Sequence, residues 1–276
     1  MTTTRIAAVA RAFGRDLDAG FASIERLVAD AREKGVSLLV LPEAALGGYL
    51  AELHSGAGVP MPPALEIDGP EIRRLAAIAG DMVVCAGFCE RRGDEVLNSA
   101  VCVYGDGVLG RYSKVHQPLA EGASYTAGDE FPAFDTPIGK LGMLICYDKA
   151  FPEAARALSL RDVHIVACLS AWPTSRTNAA PELAEDRWTK RFNIFDQARA
   201  LENQVVWVAS NQAATFGSLR FVCNAKIVGP GGDILATTGD GPGMAIAEID
   251  VEAAVEQARR AMFHLRDRRP DLYLLA

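Results

Sequence analysis

Residues 140–153 read KLGMLICYDKAFPE. The apolar run Leu141–Ile145 has the pattern of a buried strand, and it delivers Cys146 at its carboxyl end. Tyr147 and Asp148 follow, and Pro152-Glu153 opens an alanine-rich helical pattern over Ala154–Leu160. A proline in the first turn beside a glutamate marks a helix start. The order strand, cysteine, turn, helix puts a thiol near a helix N-terminus, where partial positive charge favours thiolate over thiol. In open α/β sheets, ligands bind beyond the carboxyl ends of strands. Taken alone, the same cysteine also fits a small buried hydrophobe.

Working outward, the chain opens as β-α-β. Residues 5–11 form a strand pattern. Asp16–Lys34 is an amphipathic helix with Leu17, Phe21, Ile24, Leu27, Val28 and Ala31 on one face, stopped by Gly35. Val36–Leu41 is the next strand, ending at Pro42-Glu43. Such units build sheets with helices packed on a face. Ala44–Pro63 is loop-like and follows Glu43, in a position to wall a pocket. Pro70–Ala79 is a helix and Met82–Glu90 a strand; Arg91–Asp94 is a charged turn. Ser99–Tyr104 and Val108–Ser113 read as strands joined by Gly-Asp-Gly, and this hairpin delivers Lys114.

Downstream, Val163–Leu169 is a buried strand followed by Ser170-Ala171-Trp172-Pro173. Glu182–Asn203 is a long helix, and Val205–Ser210 is a strand ending in Asn211-Gln212. Phe221–Val228 and Asp233–Ala236 form a hairpin around GPGG. Met244–Ile249 is the last strand, Val251–Leu265 a closing helix and Arg266–Ala276 an irregular tail.

Of the 276 residues, 50% are hydrophobic, so the chain can bury a large core, and one domain spanning 1–276 fits. The formal net charge is −7, without a basic stripe, which argues against nucleic acid as a partner. No run approaches about 18 uninterrupted apolar residues, which argues against a spanning helix and a membrane partner. The start, MTTTRIAAVARAFGRD, lacks a sustained apolar segment of the secretory kind. The 6 cysteines sit mostly in apolar runs, which suits a reducing, cytoplasmic location. Cys85 and Cys89 lie in a strand pattern with no second Cys/His cluster to complete a zinc site, so neither metal nor cofactor is expected.

Three stretches carry a resemblance: LPEAALGGYL with Glu43, GRYSKVHQPLAEG with Lys114 and Glu121, and CYDKAFPE with Cys146. Together they resemble the nitrilase superfamily of carbon–nitrogen hydrolases, over nearly the whole chain. The spacings are also similar to those of family members. The resemblance implies an α/β fold, the four-layer αββα sandwich. Periodicity alone does not separate this from three layers. It also implies a Glu43-Lys114-Cys146 triad, with Glu121 as the second glutamate. Homodimers or higher homo-oligomers joined through helices are implied too, the tail from about 266 being a candidate contributor.

The residue types suit that chemistry. The expected roles are Cys146 as nucleophile, Glu43 as the group that takes its proton and passes it on, and Lys114 with the Tyr147 backbone N–H as oxyanion donors. A thioester follows, then a carboxylic acid and ammonia or an amine. Glu121 orients Lys114 and the substrate amide. Tyr49, Tyr147, Trp172 and Asn211 are the candidate residues for contact with a small-molecule substrate, with Gln212 beside them. His116 raises the rival of a Cys-His pair. Asp148 is expected to fix the turn.

Nitrile-cleaving members typically carry Cys-Trp-Glu, whereas Cys146-Tyr147-Asp148 resembles the amidase and carbamoyl-amide branches. Branches acting on ω-amides often place an arginine where this chain has Ala150. Lys149 beside it is the nearest replacement, but it lacks arginine's bidentate fork. The expectation is a thiol amidohydrolase acting on a small linear amide or N-carbamoyl compound. The rivals are a true nitrilase, an acyl transferase and a non-catalytic binding module.

Overall fold

The β-α-β opening forms from β1 (Thr4–Arg11), α1 (Leu17–Glu33) and β2 (Leu38–Val40). The structure is a computed structural model and describes residues 3–54, 58–105 and 107–273. Asp16 caps α1 by accepting from the Ala19 N–H, and Gly35 closes it at φ 68°. α2 (Pro70–Ala79) leads into β3 (Val83–Arg92), β4 (Glu95–Tyr104) and β5 (Gly107–Ser113). β1, β2 and β3 run parallel, and β3-β4-β5 form an antiparallel meander. Asp106 in the expected Gly-Asp-Gly turn, residues 55–57 of the expected loop and 274–276 of the tail lie outside the described residues.

A second sheet holds β6 (Ala133–Thr136), β7 (Gly139–Ile145), β8 (Ile165–Leu169) and β9 (Val206–Ala209). α3 (Pro152–Ser159) joins β7 to β8, and α4 (Arg187–Asn203) joins β8 to β9. β10 (Asn211–Gln212) then crosses back to pair in parallel with the end of β1. β11 (Thr215–Phe216) and β12 (Leu219–Arg220) make a small hairpin. β13 (Lys226–Val228) and β14 (Ile234–Thr237) complete the second sheet, in order β14-β13-β9-β8-β7-β6. β15 (Gly243–Ile249) lies antiparallel to β1, and α5 (Val251–Ala261) follows it.

Alternation along the strands sets the layers. Ile6, Ala8 and Ala10 of β1 join one core cluster with Leu141 and Met143 of the second sheet. Ala7 and Val9 join another with Phe21 and Ile24 of α1 and Leu75 of α2. β2, β3 and β4 divide the same way, so this mixed sheet is buried on both faces. In β7, Gly142 faces Leu158 of α3, which leaves Leu141, Met143 and Ile145 for the space between the sheets. The result is helices, sheet, sheet, helices: the αββα sandwich. Both sheets send the carboxyl ends of their parallel strands toward the same region. Among the described residues, no helix is long and apolar enough to cross a membrane.

Several boundaries differ from expectation. β4 begins at Glu95, because Arg92 pairs with Glu95 and Cys89 with Asn98; the turn shrinks to Gly93-Asp94. α4 begins at Arg187, not Glu182, because the Asp186 carboxylate accepts from the N–H groups of Trp188, Ser175 and Ala180. The expected strand 221–228 is broken by Cys223 and Asn224, both left-handed at φ 56° and 61°. α5 stops at Ala261, where the Gln204 side-chain amide takes the Ala258 and Met262 carbonyls.

Candidate active site

Glu43 follows β2, Lys114 follows β5 and Cys146 follows β7. The topology therefore gathers residues far apart in sequence at one end of the two sheets. Lys114 Nζ donates to Glu43 Oε1 at 2.9 Å and to Glu121 Oε2 at 2.7 Å. All three side chains are fully buried. Burial alone would pull the Lys114 ammonium down, but the Glu121 and Glu43 carboxylates outweigh it and hold it above the ordinary lysine range. Burial also pushes Glu121 up, with Lys114 opposing.

Asn98 is a residue the sequence reading missed. Its Nδ2 donates to Glu43 Oε1 and to Glu121 Oε1, both at 2.7 Å. The Ala171 N–H donates to Glu43 Oε2 at 2.6 Å. Glu43 thus has its oxygens fixed from three sides. Its backbone is fixed too: Gln212 Nε2 donates to the Glu43 carbonyl at 2.9 Å. Gln212 therefore positions Glu43.

Cys146 stands in the left-handed region at φ 50°, as does Ala44 beside Glu43 at φ 57°. Such strain in residues with a Cβ gathers where function fixes the backbone. Asp148 secures the turn as expected. Its carboxylate accepts from Tyr112 OH at 2.6 Å, the Ile145 N–H at 2.9 Å and the His116 N–H at 3.0 Å. His116 Nδ1 also pairs with Asp148 Oδ1 at 2.9 Å, and its ring stacks on Phe151 at 3.8 Å. These contacts commit His116 to Asp148, not to a Cys-His pair.

The helix-end influence expected at Cys146 is not direct. A 3₁₀ turn, Cys146–Ala150, separates the thiol from α3. Burial pushes the Cys146 thiol well up and the Glu43 carboxylate adds to this; Lys114, Lys149 and the Ala171 N–H oppose without overcoming it.

Cys146 opens on a cavity of about 390 Å³, walled by Tyr49, Leu53, Tyr147, Trp172 and Phe195 among others. Tyr49, Tyr147 and Trp172 stand where the sequence placed them, against the cavity. Asn211 does not: its Oδ1 accepts from the Trp172 N–H at 2.8 Å and its Nδ2 donates to the Trp172 carbonyl at 3.3 Å. It is buried beneath Trp172 and is not among the residues that line the cavity. Lys149 is likewise corrected as a substrate anchor. Its Nζ donates to Asp196 Oδ1 at 2.6 Å, inside the protein, and Asp196 Oδ2 accepts from Lys226 at 2.8 Å.

The carbon-nitrogen hydrolase family model matches residues 5–259. A probable nitrilase of Schizosaccharomyces pombe is 28% identical, with 86% of this chain and 84% of that protein covered. The N-carbamoylputrescine amidase of Solanum lycopersicum is 29% identical, with 97% and 93% covered. The solved structure of an amidase variant from Nesterenkonia sp. AN1 superposes with a TM-score of 0.76 at 27% identity, covering 96% of this chain and 97% of that one. That structure shows covalent addition of the acetamide moiety of fluoroacetamide at the active-site cysteine. With a match across 5–259 and the αββα sandwich in place, the chain belongs to the carbon-nitrogen hydrolase family of the nitrilase superfamily and is a hydrolase of carbon–nitrogen bonds.

Proposed function

We propose that this chain is a thiol amidohydrolase that cleaves a small linear amide or N-carbamoyl compound through a thioester on Cys146. The observation that carries this is Lys114 held between Glu43 and Glu121, with Cys146 lining the cavity and feeling the charges of Glu43 and Lys114. The cysteine adduct in the related amidase supports the same role for Cys146.

In the proposed reaction Glu43 takes the thiol proton and Sγ attacks the carbonyl carbon. The oxyanion is stabilised by the Lys114 ammonium and the Tyr147 N–H. Glu43 returns the proton to the departing nitrogen, which leaves as ammonia or an amine. Water then enters, gives a proton to Glu43 and attacks the thioester. Collapse releases the acid and restores the thiol. Glu121 holds Lys114 and orients the substrate nitrogen. Tyr49 and Trp172 wall the acyl group.

The nitrile reading has relatives in its favour, among them the probable nitrilase of S. pombe and a nitrilase of Pyrococcus abyssi. Ammonia release from a matched panel of amides, N-carbamoyl compounds and nitriles, with this protein and its Cys146→Ala variant, decides between them. Cysteine-dependent turnover of amides or carbamoyl compounds supports the proposal; turnover of nitriles alone overturns it.

The six described cysteines are free and buried, which supports a cytosolic setting. Exposed Ile194 and Leu201 on α4 and Leu272 and Tyr273 near the tail support a homodimer built on these faces.

A further inference from the structure

The geometry points to Arg191 as a specificity-determining residue that binds a carboxylate at the far end of the substrate chain. This rests on the reading of the Cys146 cavity as the hydrolytic site. The cavity runs from Cys146 between aromatic and aliphatic walls, Tyr49, Leu53, Trp172 and Phe195 among them. Arg191 is the single formally charged side chain in its lining among the described residues. Among the described residues no aspartate or glutamate lines it.

The other basic residues of α4 are already engaged. Arg187 donates to the Thr177 carbonyl and hydroxyl at 2.9 and 2.7 Å. Lys190 pairs with Glu185 at 2.9 Å, and Arg199 donates to the Lys149 carbonyl at 2.9 Å and pairs with Glu202 at 2.8 Å. Arg191, exposed at the cavity mouth, has neither a hydrogen bond nor an ion pair among the described residues. Its guanidinium is free to take a ligand.

The rest of the lining explains why this arginine matters. Ala150 lines the same cavity and offers only a methyl group. Lys149, next to it, is turned into the protein and bound to Asp196. Positive charge facing the substrate therefore comes from α4 and not from the turn after Cys146. A guanidinium forms paired, charge-assisted hydrogen bonds with a carboxylate, more strongly beside apolar walls than in open water. It also repels an ammonium group, so an amine-terminated chain is selected against. The cavity suits a chain of a few carbons with the amide at Cys146 and the acid at Arg191.

The test uses Cys146→Ala protein, which separates binding from chemistry. Calorimetry compares adipic acid monoamide, and its shorter homologues, with the corresponding methyl esters. With Arg191 present, the best acid binds about tenfold to a hundredfold more tightly than its ester, the range expected for a charged hydrogen bond. Arg191→Gln collapses that ratio to about one, and Arg191→Glu turns preference toward the amine-terminated amide. Equal binding of acid and ester with Arg191 present, or a preference that survives Arg191→Gln, overturns the assignment. Turnover by the Cys146 protein is read separately. Active hydrolysis of neutral amides without an acid preference sinks Arg191 alone, whereas absent amide hydrolysis counts against the thioester proposal.

Discussion

The side-chain amide of Asn98 donates to Glu43 Oε1 at 2.7 Å, and its second hydrogen reaches Glu121 Oε1 at the same distance. One neutral residue of β4 thus holds two carboxylates at the spacing that Lys114 bridges. Carboxylates only accept, so the nitrogen and not the oxygen of Asn98 must face them. Asn98→Ala is expected to lower kcat about tenfold to a hundredfold, from losing charge-assisted bonds of about 1.5–3 kcal/mol. Asn98 also holds Glu121 down, so the variant's acid limb in the pH–rate profile moves to higher pH. A loss of kcat with an unmoved profile would reduce Asn98 to a packing role.

Gly87 of β3 lies under Glu43. A Cβ built there falls 2.7 Å from the Glu43 Cα, and the Gly87 N–H donates to the Pro42 carbonyl at 3.2 Å. Gly87→Ala must push the Glu43 backbone away, at a cost of about 1–3 kcal/mol in overpacking. Activity should fall further than stability does. Measuring kcat and Tm together checks this: an active, unshifted variant would contradict the fixed placement of Glu43.

Lys226 offers a stability test away from the reaction. Burial lowers it from 10.5 to about 8, against the pull of Asp196. Between these values the unfolded chain keeps a proton that the folded chain has shed. Stability from this group therefore rises with pH across that window. Lys226→Met removes the rise. Denaturant unfolding at about pH 7.5 and about pH 9.5 should show the parent chain gaining about 2 kcal/mol on the variant at the higher pH. A constant difference would mean that Lys226 stays charged beside Asp196.

Thiol labelling tests the resting state of Cys146. Its sulfur lines the cavity, so iodoacetamide should reach it before the buried Cys85, Cys89, Cys102 and Cys168. Because burial raises the thiol, the rate should still climb above the ordinary thiol range. A plateau near neutral pH would restore the thiolate expected from the sequence.

Glu43, Lys114 and Cys146 were legible because each follows a strand within a short, recognisable stretch, and Glu121 because it lies in the same stretch as Lys114. Their partners were not. Asn98 fell just outside a strand read as starting at Ser99, and its role appears only when β4 pairs back to Glu95. Gly87 looks like any strand glycine until β3 is laid against the turn after β2. Lys149, taken from the sequence as the nearest replacement for an arginine, and Asp196 and Lys226, which carry no local signal, lie in three separate segments that the fold buries together. Asn211 sits at a strand end, as a substrate contact would, but its amide is spent on the Trp172 backbone. Local pattern carries strand ends well and carries pairing across a sheet poorly.

The most direct test of the central claim is intact-protein mass spectrometry of the chain quenched during turnover of a linear amide, followed by peptide mapping. The account predicts an added acyl mass on the peptide that contains Cys146, lost in Cys146→Ala together with ammonia release. Ammonia release that persists in Cys146→Ala, or an acyl group mapped to another residue, would contradict it.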